Sequence, residues 1–112
     1  MSSDNATAVA ARHGREALAT ALLSLQTAGL AEHLVERAVE ATAAASSALY
    51  NAEAQSPTEE ASASFVHSAT EALQLARSEV NALRGRHHEL EGAATSIART
   101  RALLYPVLQY WL

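Results

Sequence analysis

The chain predicts an all-α fold built as a long antiparallel helical hairpin with coiled-coil-like packing. Three observations carry this expectation. Of 112 residues, 49% are apolar and 27 are alanine, with only six valines and one isoleucine; such a composition favours helix over strand. Apolar positions recur in steps of three and four along most of the second half. A helix-start signal, Ser56-Pro57-Thr58-Glu59-Glu60, divides the chain into two arms of similar length.

Ser3 or Asp4 is the candidate N-cap of the first arm, a helix over about 4–54. Its seam comes in two stretches, Leu18, Leu22, Leu25 and then Val35, Ala38, Thr42, Ala45, Leu49, Ala52. The stretches are slightly out of phase, and Gly29 lies between them as a candidate break. In the turn, 55–57, Ser56 is the cap of the second arm. Pro57 takes the first helical position, where its missing N–H costs nothing. Glu59 completes a capping box, and Glu60 favours the helix dipole. Proline also biases Ser56 away from helix, so the first arm ends near Ala54.

The second arm, about 57–105, carries the longer seam: Val66, Ala69, Leu73, Ala76, Val80, Leu83, His87, Leu90, Ala94, Ile97, Arg101, Leu104, Leu108, Trp111. Its polar members, His87 and Arg101, are candidate specificity residues, because polar groups at seam positions fix register or partner choice at a cost in stability. Gly85 and Gly92 are candidate kinks. Folding the chain about residue 57 places position n opposite roughly 114 − n, and so Gly29 opposite Gly85. Facing glycines permit a shared kink or a pair of breaks. The alternative to a continuous hairpin is therefore a bundle of three helices, broken at Gly29 alone, or of four, broken also at Gly85 or Gly92. Either way 1–112 is one domain.

A hairpin leaves apolar residues outside its seams, here Leu23, Leu30, Leu34, Val39, Phe65, Leu75 and Leu103. Pairing with a helical partner or a second copy, to complete a four-helix bundle, buries such a face. The C-terminal segment 103–112 adds three of the five aromatics. Leu103, Leu104, Tyr105, Val107, Leu108, Tyr110, Trp111 and Leu112 are the candidate partner-binding residues, since Tyr and Trp are enriched in binding hot spots. Pro106 is expected to kink or end the helix near Tyr105. If the tail folds back instead, the same residues cap the core. Contact of the tail with a membrane surface is the weaker alternative, because the flanking Lys/Arg face is missing.

Composition also narrows the chemistry. With no cysteine, disulfides, thiolate metal sites and thiol catalysis are excluded. The net charge is −4, and all eight basic residues are arginine. That is a poor footprint for nucleic acid, and a lysine-free, Ala/Arg-rich chain points to a GC-rich genome. No apolar run reaches transmembrane length, and the N-terminus lacks a secretory signal; a cytoplasmic protein is expected, with signal-independent export left open. His87-His88-Glu89-Leu90-Glu91 is the densest cluster of ligand types. His87/Glu91 and His67/Glu71 are each one turn apart, yet the hairpin register brings neither pair a further ligand. Glu32/Glu36 and Glu36/Glu40 are mildly repulsive pairs on a solvated face, with Arg37 and His33 beside them to offset the repulsion. No phosphate loop, nucleophile elbow or triad-like set occurs. Neither an enzyme, a cofactor nor a metal is expected.

The length, the Ala/Arg/Glu-rich heptads and the two helices around Ser56-Pro57 resemble the WXG100/ESAT-6-like helical-hairpin proteins of type VII secretion loci and their toxin partners. The resemblance covers most of the chain and is architectural. Tyr50-Asn51-Ala52-Glu53-Ala54-Gln55-Ser56 holds no Trp-x-Gly at the turn, and Tyr105 is followed four residues later by Gln109 rather than an acidic residue. It implies a partner or targeting chaperone of a helical effector rather than an exported substrate. The sequence thus points to a non-catalytic interaction module, an adaptor or chaperone-like partner of another helical protein. A homodimeric scaffold is the alternative, and a metal- or ligand-binding bundle rests on the histidines alone.

Overall fold

The computed structural model describes residues 6–54 and 59–111, with side chains at 7–53, 61 and 63–109. They form α1 (Ala6–Gln26), α2 (Glu32–Ala54), α3 (Glu59–Arg84) and α4 (Glu91–Trp111), with one 3-10 turn, His88–Leu90, leading into α4. The candidate caps Ser3, Asp4 and Ser56, with Pro57, lie outside the described residues.

The two arms do not run as continuous helices. Arms of about 50 residues would make a hairpin about 75 Å long, whereas the longest extent is 46 Å. Each arm is broken near its middle, and the hairpin is doubled over at that level. Its pairing survives the doubling. Arg37 on α2 meets Glu79 on α3, and Gly14 on α1 meets Thr100 on α4. Both pairs fall within two positions of the register that folding about residue 57 predicts. The doubling then lays α1 against α2 and α3 against α4, so that every helix touches two neighbours, with α1 and α3 also meeting across the diagonal. This corrects the expectation that a partner or second copy completes the bundle: one chain supplies all four helices.

The breaks are local events. α1 closes with Thr27 donating to the Leu23 carbonyl from both its backbone N–H (2.9 Å) and its hydroxyl (2.7 Å). Gly29 follows with φ +78°, the left-handed conformation that ends helices and that side chains with a Cβ resist. In the other arm the backbone N–H groups of Arg86 and His87 both donate to the Leu83 carbonyl, ending α3. His87 then adopts φ −134°, ψ 82° before the 3-10 turn. The phase slip between Leu25 and Val35 is absorbed in the α1–α2 connection.

The core is thin and close. Among the described residues, ten of the 21 buried apolar side chains are alanine, so the helices approach closely and little area is buried per residue. Six leucines, Leu18, Leu25, Leu49, Leu73, Leu90 and Leu104, supply most of the bulk, with Ile97. Gly14 sits at one close approach. A Cβ there would lie 3.1 Å from Leu49 Cδ1 and 3.4 Å from Thr100 Cγ2. Two buried threonines satisfy their hydroxyls within their own helices, Thr42 donating to Ala38 O (2.7 Å) and Thr100 to Ser96 O (2.8 Å).

Pro106 neither ends α4 nor stops it at Tyr105: the helix continues to Trp111 with the proline inside it. A proline removes the N–H that would reach the carbonyl four residues back, here that of Ala102. Ala102 is solvent-exposed, so water can serve that carbonyl. Leu104 and Val107, buried on either side of the proline, hold the last turns to the bundle.

Candidate functional site

α4 touches both α1 and α3, so it buries a stripe rather than a two-position seam. The stripe runs Leu90, Ala93, Ile97, Thr100, Leu104, Val107. Three of these, Ala93, Thr100 and Val107, lie one residue before the seam positions Ala94, Arg101 and Leu108, which the structure leaves half-buried at the edge. The C-terminal candidates are divided accordingly. Leu104 and Val107 belong to the core, Leu103 and Leu108 are half-buried, and Tyr105 is 58% exposed. Tyr110 and Trp111 close α4, but their side chains, like Leu112 as a whole, lie outside what is described.

Tyr105 stands beside an open groove of about 430 Å³ between α3 and α4, lined by Thr70, Ala98, Arg101, Ala102, Tyr105 and Leu108. Its phenol oxygen accepts a 2.9 Å hydrogen bond from Gln109 Nε2, one turn on. That bond fixes the ring on the helix surface rather than against the core. Arg101 lines the same groove, with its guanidinium in no ion pair among the described residues. The groove thus offers a ring face, a guanidinium, and an apolar floor of alanines and Leu108.

The other predicted specificity residue, His87, is placed apart from Arg101. It lies half-exposed in the turn between α3 and α4, with its backbone carbonyl accepting from Leu90 N at 2.9 Å. His88 and His67 are exposed. Among the described residues no three His, Asp or Glu side chains gather to hold a metal ion. The off-seam apolar residues divide as well. Leu30, Val39 and Phe65 pack on the core, while Leu23, Leu34 and Leu75 stay exposed.

One surface cluster has no counterpart in the sequence reading. Arg15 donates from both Nε (3.0 Å) and Nη2 (2.7 Å) to Glu53 Oε2, and its guanidinium lies 5.6 Å from the centre of the Tyr50 ring. Arg15 and Glu53 are 38 residues apart. Only the break at Gly29 brings them together, so no local pattern signals the contact. Arg84 and Glu91 form a looser pair, 3.4 Å, across the α3–α4 connection.

These features define an antiparallel four-helix bundle closed within one chain, with an aromatic-edged groove toward the end of α4. No described helix is long and apolar enough to cross a membrane. Comparison with protein-family models, with curated proteins and with solved structures finds no match.

Proposed function

We propose that the protein is a non-catalytic interaction module, an adaptor or chaperone-like partner of another helical protein, and that it binds through the α3–α4 groove around Tyr105. The supporting observation is Tyr105 itself: a large ring, mostly exposed, beside an open apolar groove and Arg101, which forms no ion pair among the described residues. Tyr and Arg concentrate binding energy at interfaces because they bring large area and directed hydrogen bonds together. Leu104 and Val107 support this surface from beneath rather than meeting the partner. The type VII-like resemblance fits such a role in the class of partner, a helical effector, although here the hairpin has already closed on itself.

Truncating α4 would remove core residues, so the test is made with the full chain. A photo-crosslinking residue is placed at position 105, and a control at exposed Ser78 on α3. The expected result is a discrete adduct from position 105 only, lost when Ala102→Glu puts a charge on the groove floor. Equal labelling from both positions, or none from position 105, rejects the groove as the binding site. Light scattering on the isolated chain identifies self-association: a stable dimer lost with Ala102→Glu would make a second copy the occupant and the protein a scaffold.

A further inference from the structure

On the opposite face of the bundle, between the end of α1 and the first half of α2, lies a second groove, of about 370 Å³. Half-buried Leu30 and Val39 form its apolar surface over the core residues Leu25 and Val35, and Glu32, Glu36 and Glu40 edge it along α2. The charges of α2 are sorted by side. Arg37 reaches Glu79 on α3, away from this groove. Among the described residues no basic side chain lines the groove and α1 carries none after Arg15, while the exposed His33 lies beside Glu32 on α2. The three carboxylates are exposed and form no hydrogen bond or ion pair among the described residues. Spaced four apart on one helix, they repel one another mildly; the exposed His33 and Arg37 beside them on α2 are the nearest basic groups.

We propose that this groove docks a basic amphipathic helix of another protein, distinct from the surface around Tyr105. An apolar wall edged on one side by a row of like charges matches a helix with an apolar stripe flanked by arginines or lysines. The spacing agrees. Glu32 to Glu40 spans about 12 Å of helix, and cations four residues apart on a docked helix repeat at the same interval of about 6 Å. Docking relieves the repulsion along α2 while covering Leu30 and Val39. Charge complementarity of this kind sets partner choice and association rate.

The test uses the full chain and a labelled helical peptide of about four turns, alanine-based, with leucines along one stripe and arginines four apart beside it. Fluorescence anisotropy at low salt should show saturable binding. Glu32→Gln/Glu36→Gln/Glu40→Gln should weaken it at least about tenfold, as should raising the salt to about 1 M. Tyr105→Ala should leave it unchanged, which separates this groove from the one around Tyr105. A peptide with Glu in place of Arg should not bind, and one with Ser in place of Leu should bind far more weakly. Absence of binding, undiminished binding to the triple variant, or full binding of the Ser peptide would each overturn the proposal.

Discussion

Gly29 and Gly85 look alike in the sequence, each at mid-arm and facing the other, but the structure assigns their replacement by alanine opposite signs. At Gly29 the backbone holds φ +78° with no atom within 4 Å of a built Cβ, so the effect is conformational and not a clash. Placing an L side chain in the left-handed region costs about 1–2 kcal/mol. Restricting the unfolded chain returns about 0.4–1 kcal/mol. Gly29→Ala should therefore lose about 0.5–1 kcal/mol. Gly85 has the same open surroundings and no positive φ, so only the unfolded-state gain applies, and Gly85→Ala should add about 0.4–1 kcal/mol. The assay is urea unfolding followed by helical circular dichroism, with the midpoints compared at a common slope. In a melt each kcal/mol should move Tm by about 4 °C for a chain of this size. A continuous hairpin makes a different prediction, because alanine improves any helix interior by about 1 kcal/mol. Stabilisation by both substitutions would refute the chain reversal at Gly29.

Three further expectations follow from the packing. Leu73→Ala, at a side chain with no exposure, should cost about 2–5 kcal/mol by loss of burial and the cavity left behind, read as a fall in urea midpoint. Gly14→Val pushes new methyls toward Leu49 Cδ1 and should cost about 1–3 kcal/mol; adding Leu49→Ala should cost less on this background than alone, a coupling that a double-mutant cycle measures directly. Glu53→Gln breaks the 2.7 Å pair with Arg15, whose side chains are 36% and 25% exposed. The loss should stay below about 1 kcal/mol and shrink as salt rises, and a larger, salt-independent loss would mean that the pair is not solvated as described.

The sequence by itself determined the class of fold and much of the core. Spacing alone identified Leu18, Leu25, Val35, Ala38, Thr42, Ala45, Leu49 and Ala52 in the first arm, and Val66, Ala69, Leu73, Ala76 and Val80 in the second, all buried, while Leu22 and Leu83 of the same seams are half-buried. It could do so because a helix turns about 100° per residue, so the interval between apolar residues reports which side faces inward. The register between the arms was legible for the same reason, through the turn that centres them. The tertiary structure decided what covers each face. An apolar stripe is satisfied equally by a partner, a second copy or the other half of the same chain, because burial is non-directional. Gly29 permits a reversal without requiring one, and the reversal is what closes the bundle within the chain and joins Arg15 to Glu53. It also gives α4 two neighbours, and a helix packed on two sides buries a stripe centred between them. That is why Thr100 lies inside and Arg101 at the groove edge, a difference of one residue that no single-helix pattern encodes.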